Sequence, residues 1–188
     1  MPLYAYLLIG IGIVVWFYPF VAAHQGTAPA KIVNRRSRWG VLLQLVGFSL
    51  LWQGRFWERS LPAWRPAASI VLFVLAALLS WTSSRALAGQ LRIDAALGTE
   101  HKLVRSGPYA LIRNPIYTSM LLVLCAVGVI ISGWKLFVTA LVFFVIGTEI
   151  RVRTEEKLLA AQFGKEFESY TRSVPSYLPF LPPRRNGK

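Results

Sequence analysis

HKLVRSGPYALIRNPIY, residues 101–117, lies between two long apolar segments and interrupts the pattern on either side. It gathers a histidine, two tyrosines, a Gly-Pro pair and an Arg-Asn-Pro triplet. Proline fixes its own φ and biases the residue before it away from helix, so Gly107-Pro108 and Asn114-Pro115 mark two turns. Gly107 also permits a close backbone approach to a ligand. A second polar block, RVRTEE at 151–156, follows directly on the last apolar segment. Spacing alone leaves two readings of 101–117 open: a ligand-holding loop, or an ordinary interhelical connection whose prolines start the next helix.

Working outward, the 188 residues are 55% hydrophobic and 15% charged, with a mean hydropathy of +0.49. Soluble domains carry about 25% charged residues. A water-soluble fold of this size would have too little polar surface to cover itself, so the composition predicts an integral membrane protein. One cysteine, Cys125, excludes an internal disulfide framework, and two distant histidines, His24 and His101, argue against a metal centre. The net charge of +13 reads as membrane topology. With the spans assigned, no basic soluble module is left for nucleic acid.

The apolar segments are 3–23, 39–53, 67–87, 116–132 and 134–150. A helix needs about 20 apolar residues to span a bilayer, so the second segment spans only by borrowing Trp57 or by tilting little. Its Gln44 and Gln53 should face other helices rather than lipid. Only Gly133 separates the last two segments, which forces an antiparallel hairpin. No breaker falls between Trp134 and Phe163, so the final helix leaves the membrane as one rod and ends near Gly164. The fold class predicted is all-α integral membrane, about five transmembrane helices with a tight final hairpin and a cytoplasmic C-terminal helical cap. Residues 1–88 are the N-terminal spans, and 89–188 are the core. With the N-terminus outside, 17 Lys and Arg fall on the inner side and 4 on the outer. Positive-inside topology then puts 101–117 and 151–156 on the same, cytoplasmic, face.

Within the second block, Glu149 and Arg153 stand i,i+4, as do Arg151 and Glu155. Such pairs usually decorate a helix surface and are worth only about 0.3–0.5 kcal/mol. Glu149, however, lies at the end of an apolar segment, where an unpaired carboxylate is costly. Tyr109 and Tyr117 are either interfacial anchors or the faces of a pocket for a cation. Glycine-rich dinucleotide and P-loop signatures are absent, as is the nucleophile elbow.

Several linked motifs resemble the isoprenylcysteine carboxyl methyltransferase family, part of a group of small membrane methyltransferases that includes phospholipid methyltransferases. They are HKLVRSGPY (101–109), RNPIY (113–117), RVRTEEKLL (151–159), FGKEF (163–167) and the tail VPSYLPF (174–180). The resemblance covers about residues 89–182. It implies methyl transfer from S-adenosylmethionine to a lipophilic or prenylated acceptor that enters from the bilayer, among membrane lipids. It also implies that the donor is held by His101, Lys102, Leu103, Val104, Tyr109, Asn114, Pro115, Ile116, Tyr117 and Glu155. Arg151 would bind the substrate, and Glu156 would support the same helix. The family's R-H-P is R-N-P here, so Asn114 stands where a histidine is usual; it can hydrogen-bond but cannot titrate near neutrality. Two other readings stay open. One is a membrane reductase using NADPH, because sterol reductases resemble the family in their C-terminal region. The other is a non-catalytic protein of the same fold.

Overall fold

The computed structural model describes residues 1–23, 36–58, 60–87, 103–180 and 182, and among these it is all helical. Helix α1 is Leu3–Ala23, α2 Arg36–Leu51, α3 Trp64–Leu87, α4 Pro115–Ile131, α5 Trp134–Phe163 and α6 Lys165–Ser173. Two 3-10 turns, Phe56–Glu58 and Gly107–Ala110, lie in the connections. His24 and Lys31, together with His101 and Lys102 of the central motif, lie outside the described residues.

Helix α3 packs between α1 and α4, while α2 packs along α5. The α3 contact face is written in its sequence. Ser69, Phe73, Ala76, Ser80 and Ser83 recur at alternating steps of four and three, and all are buried. Small residues let neighbouring backbones approach closely where there is no hydrophobic drive between helices. Between these positions Ile70, Val71, Val74, Leu75 and Leu78 stay exposed, as do Leu7, Ile11 and Val14 on α1. Apolar belts of this extent call for lipid or another apolar cover. Among the described residues, two helices are long and apolar enough to cross a membrane, over Leu3–Ala22 and Trp64–Leu87. Helix α4 is apolar but shorter, and α5 carries Lys135, Glu149 and Arg151 along its length.

Helix α2 corrects one expectation. It does not borrow Trp57, which sits in the separate turn Phe56–Glu58 after Gly54 takes a φ of 91°. Its 16 residues cover about 24 Å, less than the roughly 30 Å of a hydrocarbon core. What fixes α2 is α5. A Cβ on Gly40 would lie 2.6 Å from the carbonyl oxygen of Gly147, and one on Gly147 would lie 2.6 Å from that of Gly40. At the next crossing, a Cβ on Gly47 would lie 2.8 Å from the Ala140 oxygen. The neighbours at both crossings include backbone atoms, which cannot turn aside as a side chain can. Gly147→Val should therefore lower stability by about 1–3 kcal/mol, the usual range for overpacking. A detergent melt equal to that of the parent would show that α2 and α5 can part without cost.

The α4–α5 connection is as tight as expected. Ser132 and Gly133 alone join the helices, and Ser132 Oγ donates to Leu51 O at 2.8 Å, tying the turn to the end of α2. The two helices run antiparallel, because Tyr117 near the start of α4 meets Glu155 well along α5. Helix α5 ends at Gly164, whose φ of 51° is open to glycine. That break starts α6, the C-terminal helical cap.

Candidate functional site

Beyond its apolar part, α5 presents two polar faces. Thr148, Arg151 and Glu155 follow one another by three and four residues and share a face. Glu149 and Glu156 are seven apart and share the other. The start of α4 and the C-terminal tail meet these two faces.

Arg113 organises the tail. Its guanidinium is buried and donates to Thr171 O at 2.8 Å, Val174 O at 3.1 Å and Ser176 Oγ at 2.6 Å. It also lies 3.0 Å from Glu156 Oε1. The backbone joins in: Arg113 N donates to Pro175 O and Asn114 N to Ser176 O. The Asn114 side chain donates to the same Ser176 oxygen at 3.2 Å, and Thr118 Oγ1 donates to Tyr177 O. Tyr177 closes the set by donating to Glu149 Oε2 at 2.8 Å. Glu149 also accepts from Arg153 at 2.8 Å, so the expected i,i+4 pair is present. Its position at the end of the apolar run is explained by a tail contact as well.

On the other face, the Tyr117 hydroxyl donates to Glu155 Oε1. Arg151 lies 3.8 Å from that oxygen, and its guanidinium stacks 5.2 Å from the centre of the Tyr117 ring. Its Nη1 reaches Gln44 Oε1 at 3.4 Å, and Gln44 Nε2 donates to Thr148 Oγ1 at 2.8 Å. Enclosure raises the Glu155 carboxyl above the usual carboxylate range, while the Tyr117 hydroxyl and Arg151 pull it back. The Glu155 side chain remains 30% exposed, and both its contacts run through Oε1. The carboxylate is thus open on its remaining side.

A third layer joins α6 to the central motif. Tyr170 donates to Tyr109 O at 2.6 Å, and Arg105 lies over the Tyr170 ring. Burial pushes the Tyr170 phenol up to about 12 and raises that of Tyr109 as well, so both stay neutral near pH 7. Phe167, Tyr170 and Val174 form a small core against which Leu103 packs. Gly107, with a φ of 59°, carries the chain past the end of α3.

Of the residues named from sequence, Tyr117, Glu155 and Arg151 come together directly. Tyr109 and Leu103 stand against α6, with Val104 half-buried beside them. Asn114 turns its side-chain donor to the tail, and buried Pro115 opens α4 with Ile116 half-buried after it. Glu156 engages Arg113 rather than its neighbours on α5. The reading of single residues gave no role to Arg113, although its fixed place before Asn-Pro was a signal. It placed Gln44 and Gln53 against other helices: Gln44 is there, though Arg151 could not be named as its partner, whereas Gln53 lies past the end of α2, exposed and donating to Ser49 O.

Comparison with known proteins now bears on this geometry. The profile of the phospholipid methyltransferase family matches residues 64–166, more than half of the chain. The chain belongs to the phospholipid methyltransferase family. The match takes in all of α3, α4 and α5, so it starts earlier than the motifs at 101–180 and stops before the tail. A protein-S-isoprenylcysteine O-methyltransferase of Schizosaccharomyces pombe is 31% identical over 86 residues, 44% of this chain and 35% of that protein. The cobalt-zinc-cadmium resistance protein CzcN of Cupriavidus metallidurans is 31% identical over 133 residues, 60% of this chain and 61% of that one. The nickel-cobalt-cadmium resistance protein NccN of Alcaligenes xylosoxydans xylosoxydans is 26% identical over 163 residues, 87% of this chain and 73% of that one. The chain thus spans about three fifths of CzcN and about a third of the S. pombe methyltransferase. Among the described residues there is no cluster of His, Cys, Asp and Glu that could hold a metal ion.

Proposed function

We propose that this family member transfers a methyl group from S-adenosylmethionine to a lipophilic acceptor in the membrane. The observation that carries the reading is the Tyr117–Glu155–Arg151 cluster, polar side chains of α4 and α5 brought to one point. When bound, the donor supplies an electrophilic methyl on a sulfonium. The chain's part is placement and charge. The Tyr117 ring offers a π face to a cation, and the open side of Glu155 offers a carboxylate to an ammonium or to ribose hydroxyls. Arg151 offers a fork of donors to an anionic group on the acceptor, such as a carboxylate. Displacement at a methyl group asks chiefly for alignment, so no acid–base dyad is needed. The remaining donor contacts fall to Leu103, Val104, Tyr109, Asn114, Pro115 and Ile116, with His101 and Lys102 just ahead of them.

The exposed apolar belts of α1 and α3 support a membrane setting, and the Lys and Arg count supports a cytoplasmic site with an outside N-terminus. Five spans follow if α2, α4 and the first part of α5 cross as well, the short α2 being accommodated by its neighbours.

Two measurements test the reading. S-adenosylhomocysteine should raise the melting temperature of the detergent-solubilised protein, and NADPH should not. Membranes holding the protein should incorporate label from methyl-labelled S-adenosylmethionine into a lipid-extractable product. Stabilisation by NADPH alone would point to a reductase. No stabilisation and no label would leave a non-catalytic member of the family.

A further inference from the structure

Gln44 belongs to none of the motifs at 101–117 or 151–159, yet it is 3% exposed and makes both its contacts to α5. Its amide is fixed in sense. A guanidinium has no acceptor, so the carbonyl oxygen must face Arg151 and the NH2 group must face the Thr148 hydroxyl. Thr148 lies three residues before Arg151, so one α2 side chain grips α5 at the arginine and just before it. Gly40, one turn before Gln44, makes the room. A Cβ there would lie 2.5 Å from Arg151 Cγ.

The arrangement matters because Gln44 and Glu155 are among the acceptors around Arg151. Glu155 Oε1 is 3.8 Å away, close enough to attract but too far for a hydrogen bond. Gln44 Oε1 draws the guanidinium the other way at 3.4 Å. With the α2 side released, the guanidinium would close on Glu155 as a forked pair, which is the stronger geometry. That would cover the open side of the carboxylate.

We propose that Gln44 is a positioning residue: held by Thr148, it keeps Arg151 apart from Glu155 so that both stay available to ligands. The inference rests on the donor-site reading given above. Gln44→Met keeps the volume and removes both hydrogen bonds. It should weaken S-adenosylhomocysteine binding about tenfold or more in a calorimetric titration. Gln44→Glu returns an acceptor oxygen to the guanidinium and should recover binding to within about threefold of the parent. A purely structural role would not be rescued this way.

Melting temperatures of Gln44→Met, Arg151→Met and the double variant give a second readout that needs no ligand. Residues that share an interaction show non-additive losses. The double variant should therefore melt no lower than Arg151→Met alone. Full additivity of the two losses, or unchanged S-adenosylhomocysteine affinity in Gln44→Met, would overturn the proposal. A parent protein that does not bind S-adenosylhomocysteine would instead remove the donor reading, and the melting cycle would still decide whether Gln44 holds Arg151.

Discussion

Arg113→Met should release the C-terminal tail from the start of α4. The guanidinium is the hub of that contact, with Thr171 O, Val174 O, Ser176 Oγ and Glu156 around it. Methionine fills similar space but strands two buried carbonyls and leaves Glu156 without its cation. Removing one partner of a buried pair usually costs about 3–5 kcal/mol, and the loss here should fall mainly on tail docking. Arg113→Lys should not rescue it. An ammonium is a point charge and cannot direct separate N–H groups at three acceptors and a carboxylate. Hydrogen exchange is the direct check. The Arg113 and Asn114 amides, which donate to Pro175 O and Ser176 O, should lose protection, while amides in the middle of α3 keep theirs. Protection unchanged at both amides would mean that Tyr177–Glu149 and the Thr118 contact hold the tail without Arg113.

That hub shows how far a sequence can be read. The rods were legible because apolar length and breakers are local properties. The residues 3–23 became α1 as bounded, and Gly164 ends α5 because the chain there needs a positive φ. The i,i+4 pairs Glu149–Arg153 and Arg151–Glu155 were equally local and are both present. The motifs at 101–117 and 151–159 drew attention to Tyr117 and Glu155, which the fold brings together. Long-range partners were not legible. Nothing local ties Arg113 to Ser176, Tyr177 to Glu149 or Gln44 to Arg151, since each pair is brought together only by tertiary packing. Helix α2 ends at Leu51 rather than Gln53, with Trp57 in a separate turn, and its close approach to α5 at Gly40 and Gly47 was not legible either. Asn114 was singled out as the departure from the family pattern. Its side chain faces the tail, so a neutral donor serves at that position without a titrating ring.

Glu155→Gln should weaken the binding of S-adenosylmethionine strongly while the helices remain assembled. The glutamine keeps the shape and can still accept from Tyr117. It removes the charge that would face an ammonium or ribose hydroxyls, and hydrogen bonds to charged groups are worth about 1.5–3 kcal/mol, roughly ten- to hundredfold in affinity. Tyr117→Ala should lose binding too, since it removes both the ring under Arg151 and the hydroxyl on Glu155. The pH dependence separates charge from shape. Enclosure raises the Glu155 carboxyl, so the group takes up its proton at a higher pH in the folded protein than in the unfolded chain. Acidification should therefore weaken donor binding before an ordinary carboxylate would titrate, and the parent should regain affinity as pH rises through that raised value. Stability runs the opposite way. The unliganded parent is favoured on the acid side, where the carboxyl is neutral in the fold, and loses that advantage as pH rises from the unfolded to the folded value. Glu155→Gln should show neither dependence. S-adenosylhomocysteine titrations of both proteins across the acid range are the measurement. Equal affinities with equal pH profiles would show that the donor is not held at Glu155.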